Sequence, residues 1–266
     1  MSNTRLAYLQ SIGEAGDGPH DIARVALMLA SLDQPQRSLE PFQAHLLEIA
    51  EAMQAGKGLI RRVADGAELL STLFVERYGY QGDRLTYDDP RNADLMAVIE
   101  RRRGLPVSLG ILYMHAARAA GMTASGLNTQ GHFVIRIAHR HDDLTLDPFN
   151  GGVVLDSGDV PTVLRDTALA EPVSDIDVLL RLQNNLKIRA LDAKEHERAL
   201  ELASRMALIA PRRPDVWFEL ARINEAVGVL GAARLAYETC LGLVATGQAL
   251  HNEAVLSLAN LKRRLN

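Results

Sequence analysis

A histidine and an aspartate that can meet across two short strands, facing the start of an apolar helix, are the residues of this chain best suited to chemistry. His132 stands in Gly131-His132-Phe133, and Asp147 in Leu146-Asp147-Pro148-Phe149-Asn150-Gly151-Gly152. A buried carboxylate fixes the tautomer of a neighbouring imidazole and stabilises its charged form, which suits the ring to general-base work. A helix start adds free N–H groups and a positive dipole end, which favour a thiolate or an oxyanion. Here that helix opens at Gly104-Leu105-Pro106-Val107-Ser108, and the chain's single cysteine, Cys240, lies far downstream. Asn128 and Gln130, just before His132, and Asn150, just after Asp147, are candidate contacts for a substrate or an oxyanion.

Two readings follow. In one, Ser108, His132 and Asp147 form an acyl transferase or amide hydrolase, although an alcohol is harder to ionise than a thiol and depends wholly on base and oxyanion donors. In the other, Ser108 caps or lines the first helical turn, and His132 bonds Asp147 to hold the strands together. The cluster His139, His141, Asp142 and Asp143 has metal-ligand residue types, but four polar residues in a hairpin turn are ordinarily just solvated. No metal site is assigned and no cofactor is expected. Asn150-Gly151-Gly152 offers amides to an anion, or simply turns the chain.

These residues need elements to hold them. Helical periodicity marks about residues 21–30, 41–53 and 59–78, and a turn at Asp88-Asp89-Pro90-Arg91-Asn92 leads into a helix over about 93–102. Gly104 ends that helix, Pro106 starts the next, and Gly121 closes it. The run from Val107 to Ala120 is apolar on nearly every side, so it belongs in the middle of a domain. Phe133–Ile137 and Leu144–Leu146 then read as two strands across a polar turn, and a further helix is predicted from Pro161 to about Ala170. The order is α+β and predominantly helical, with a buried helix beside a small antiparallel sheet.

Beyond about residue 175 the chain repeats itself. A shift of 34 residues places Gln183 on Trp217, Leu186 on Leu220, Ala199 on Ala233 and Ala203 on Tyr237, with Pro211 closing the first unit. That period and those offsets are those of tetratricopeptide helical hairpins. Trp217 and Tyr237 match framework positions, and Cys240 an interior one. A partner groove, if built, would use Asn184, Lys187, Arg222 and Glu225.

The stretches Asn92 to Leu109, Gly121, Gly131-His132-Phe133-Val134 and Leu146 to Gly152 resemble the transglutaminase-like core superfamily, in particular its bacterial SirB-type branch with C-terminal tetratricopeptide repeats. The resemblance implies a helical N-terminal region, then the core, then repeats, and the breaker run Glu171-Pro172-Val173-Ser174-Asp175 sets the expected boundary, with region and core over residues 1–172 and repeat helices over 173–266. It implies a cysteine at the amino end of the buried helix, a strand histidine as base and an aspartate that orients it; His132 and Asp147 match the last two. Counting back from Gly121 by about four helical turns lands on Pro106. Ser108 lies about 200° and 3 Å further on. The reading is therefore of a transglutaminase-like protein without the cysteine nucleophile, a binding protein with a protein or peptide partner on its repeats.

Net charge of -4 and pI near 6.1 give no general attraction to nucleic acid or anionic membrane. Arg101-Arg102-Arg103 and Lys262-Arg263-Arg264 are the basic clusters, each read as a solvated helix face. No apolar run is long enough to span a bilayer, and with one cysteine and no signal core near residue 1, a cytoplasmic location is expected.

Overall fold

The computed structural model describes residues 2–127, 132–155 and 171–265. They form two compact units, one of residues 17–182 and one of residues 3–16 with 183–266. Helix α1 (Ser2–Ala15) belongs to the second. The first unit runs α2 (Ile22–Ser31), α3 (Glu40–Gly56), α4 (Val63–Ser71), β1 (Gln81–Gly82), α5 (Leu95–Arg101), β2 (Arg103–Gly104) and α6 (Pro106–Ala119). It continues through β3 (Thr123–Leu127), β4 (Ile135–His139), β5 (Asp142–Asp147), β6 (Val153–Val154) and β7 (Pro172–Val173) into α7 (Asp175–Asp192).

Local chemistry sets these boundaries. Asp21 caps α2 by accepting from the Arg24 N–H, and Asp94 caps α5 by accepting from Ala97. The single helix expected over 59–78 is broken. Asp65 takes the N–H groups of Arg61 and Arg62, so α4 restarts at Val63. After Ser71 the chain widens into a π-helical turn over Thr72–Arg77. The helix expected after Pro161 lies outside the described residues.

Among those described, five strands form an antiparallel sheet in the order β6-β5-β4-β3-β7. Helix α6 crosses it and also packs on α2, α3 and α4. Val107, Leu109, Ile111, Leu112, Met114 and Ala116 are all at most 2% exposed, which fits a helix without a polar face. Contact is closest at Gly110, where an added Cβ would lie 2.4 Å from the Phe133 ring. At the far end of α6, Arg118 donates to the Ala124 carbonyl and to both oxygens of buried Asp175, which also accepts from the His20 N–H. One ion pair thus ties α6, β3, α7 and the entry to α2.

The second unit holds the rest of α7 with α8 (His196–Ile209), α9 (Pro214–Ala226), α10 (Leu230–Leu243) and α11 (Ala249–Leu265). Ala199 and Ala233 are fully buried, Tyr237 is 1% exposed and Cys240 is buried, as the 34-residue spacing requires. Trp217 is half-buried, its indole N–H donating to the Pro211 carbonyl. Two of the four expected groove residues are engaged inside the unit instead: Lys187 is 2% exposed and paired with Glu219, and Glu225 meets Tyr237 and Arg264.

Gly110→Ala is expected to cost about 1–3 kcal/mol by overpacking against Phe133. Gly231→Ala, at a helical site with nothing near the added methyl, should gain about 0.5 kcal/mol. Urea unfolding of the two variants checks both signs.

Candidate functional site

Asp147 ends β5 and is 2% exposed. Its Oδ1 accepts from the backbone N–H groups of Phe149 (3.0 Å) and Asn150 (3.2 Å), capping the turn that follows. Its Oδ2 accepts from His132 Nε2 at 2.9 Å and from Asn150 Nδ2 at 2.6 Å. Burial alone would raise this carboxyl's pKa. The His132 bond and charge, with the side-chain and backbone bonds of Asn150, outweigh it and hold the pKa below the usual aspartate value. The carboxylate is therefore ionised at neutral pH and accepts the proton carried by His132 Nε2. Phe149 sets its ring edge-on to the imidazole, 6.2 Å between centroids.

The strand register makes this pair possible. Ile135 lies opposite Leu146, so His132, just before β4, reaches back along the strand to Asp147 at the end of β5. Asn150 completes the group: its amide donates to Asp147 and its oxygen accepts from Arg84. The amides of Gly151 and Gly152 donate to the Pro148 and Asp147 carbonyls, and both glycines have left-handed φ, so this segment is a tight turn. Buried Tyr113 lies against Gly152, its hydroxyl without a hydrogen-bond partner among the described residues; burial first, then the Asp147 charge, raise its pKa.

Ser108 goes elsewhere. It is 0% exposed, and its hydroxyl donates to the carbonyls of Asn92 (2.7 Å) and Leu105 (3.0 Å). No hydrogen bond joins it to His132. Pro106 occupies the first position of α6, and the Asn92 carbonyl also accepts from the Leu105 N–H. Asn92 itself is fully buried, donating from its amide to the Thr86 carbonyl and accepting from Arg101. Arg101 in turn pairs with buried Asp83, whose carboxyl is held far below the usual range, chiefly by the Thr86 hydroxyl. This network fixes the start of α6, and the sequence reading missed it. Its only signal was a polar run before an apolar helix.

Asn128 and Gln130 lie outside the described residues. Among those described, no three or more His, Cys, Asp or Glu side chains are placed to hold a metal ion, so His139, His141, Asp142 and Asp143 do not converge on one. Nor is any helix long and apolar enough to cross a membrane. Beside the His132 pair, a cleft of about 490 Å3 is lined by Phe149, Asn150, Arg84 and Arg103.

The family described as the transglutaminase-like superfamily matches residues 38–184, and a tetratricopeptide repeat family matches residues 186–260. The chain belongs to the transglutaminase-like superfamily. Within that superfamily it is similar to a UPF0162 protein of Xylella fastidiosa (strain 9a5c), 34% identical over 222 residues that cover 79% of each chain. A UPF0162 protein of Vibrio cholerae is 32% identical over 138 residues, half of each chain. Human F-box only protein 21 is 28% identical over 83 residues, 31% of this chain and 13% of that protein. Among solved structures, a menin crystal structure overlaps 88% of this chain and 69% of its own at 12% identity, with a TM-score of 0.46.

A carboxyl with a depressed folded pKa adds stability above its unfolded value and loses it as pH falls through the folded one. The stability gap between the wild type and Asp147→Asn should be present above about pH 4 and shrink below it. Urea melts from pH 7 to pH 2 measure it, and a gap that stays constant contradicts the assignment.

Proposed function

We propose that this chain acts by binding rather than by covalent acyl transfer: a transglutaminase-like core without a working nucleophile, joined to repeats that hold a protein or peptide partner. The observation that carries this reading is the Ser108 hydroxyl, fully buried and donated to two backbone carbonyls. Acyl transfer through Ser108, His132 and Asp147 would require that hydroxyl to leave both carbonyls, reach the imidazole and meet solvent. His132 and Asp147 serve instead as a polar brace that holds the Phe149-Asn150 turn beside the cleft. The match of a tetratricopeptide family to residues 186–260 supports a protein partner for the repeats, and the acidic net charge gives no reason to expect nucleic acid.

A fluorophosphonate probe, followed by peptide mapping, should leave Ser108 unlabelled. His132→Ala should lower stability by about 1–3 kcal/mol, because it strips a partner from a buried carboxylate. Labelling at Ser108 that His132→Ala abolishes, with the melting temperature unchanged, would overturn the proposal.

A further inference from the structure

The three consecutive arginines at the end of α5 are not one solvated face. Arg101 binds Asp83 and Asn92, Arg103 is exposed, and Arg102 turns inward with a left-handed φ of 57°. The Arg102 guanidinium lies 4.8 Å from the Tyr80 ring centroid and 5.7 Å from that of Tyr78. Its Nη1 donates to the Tyr80 hydroxyl at 2.6 Å and to His45 Nε2. His45 accepts there because its Nδ1 faces Glu48 at 3.3 Å and keeps the proton. Burial, and then the Arg102 charge, push the His45 pKa below its usual value, so this imidazole is neutral at pH 7.

No carboxylate stands within ion-pair distance of Arg102 among the described residues, and its Nε and Nη2 have no hydrogen-bond partner there. The guanidinium lines a cleft of about 660 Å3 with Ser38, Pro41, Ala44, His45 and Glu48. The other charges on the rim are paired, Arg37 with Glu100 and Glu48 with Arg77. Arg77 reaches Glu48 from outside the lining, so Arg102 is the lining cation left without a carboxylate partner among the described residues. Ser38 Oγ accepts from the Glu40 N–H, which leaves its own hydrogen to donate.

We propose that this cleft binds a carboxylate carried on an apolar body: the carboxylate pairs with the open edge of Arg102 and the Ser38 hydroxyl, and the body lies on Pro41 and Ala44. A planar guanidinium edge matches a carboxylate with two parallel hydrogen bonds. A dianionic phosphate fits less well, because Glu48 and Glu100 share the rim. The proposal makes no use of the His132 pair.

The test uses the full chain, with 3-phenylpropionate as probe, 3-phenylpropanamide and phenylphosphonate as controls, and the His45 ring C–H signals in NMR as readout. The acid should give a saturable shift in the millimolar range. The amide should bind at least about tenfold more weakly, as loss of the charge demands. Arg102→Gln should abolish the shift and Arg103→Gln should preserve it. Should Arg102→Gln fail a circular-dichroism check of folding, Ser38→Ala decides, with a several-fold loss expected. No saturable shift, equal response to acid and amide, retention in folded Arg102→Gln, tighter binding of phenylphosphonate, or an unaltered Ser38→Ala would each overturn the proposal.

Discussion

The hydrogen bond from the Ser108 hydroxyl to the Asn92 carbonyl is the constraint on which this molecule's chemistry turns. A helix beginning with Leu105-Pro106 has no capping side chain at its first residue, so its opening turn must be held from outside. Asn92 does this: its carbonyl takes the Leu105 N–H and the Ser108 hydroxyl, and its side chain links Arg101 to the loop before it. The same atoms that fix the helix therefore engage the one hydroxyl of its first turn. Pro106, at the first position of that helix, offers no reactive atom.

The group around Asp147 is closely hydrogen-bonded. Asp147 accepts four hydrogen bonds and is almost fully buried, an arrangement that holds its charge and with it the imidazole tautomer. Such a group satisfies its own polar atoms and braces the Phe149-Asn150 turn, so it needs no turnover to explain it. The π-helical turn after α4 borders the same cleft, which Val75 lines with Phe149 and Asn150. It brings Tyr78 edge-on to His45 at 5.0 Å, and Tyr80 beneath Arg102.

Much of the architecture was legible because its signals are local or periodic. Helix α6 declares itself through an unbroken apolar run between Pro106 and Gly121, and the repeats through small and aromatic residues 34 apart. The His132–Asp147 pair followed from two motifs on neighbouring strands. Helix α1 was not foreseen, its apolar residues being few. Nor was β3, whose Thr123-Ala124-Ser125-Gly126-Leu127 is poor in strand formers, with Gly126 crowded by Phe133 and Val178. The direction of Ser108 depends on a carbonyl 16 residues earlier, and the divergence of Arg101, Arg102 and Arg103 on partners at Asp83 and His45. Spacing along the chain carries no record of such long-range bonds.

A double-mutant cycle of Ser108→Ala and His132→Ala, read by urea unfolding, tests the account most directly. Two residues in separate hydrogen-bond networks should be additive to within about 0.5 kcal/mol, and that is the result expected. A coupling energy of about 1 kcal/mol or more would place the hydroxyl and the imidazole in one network and contradict it.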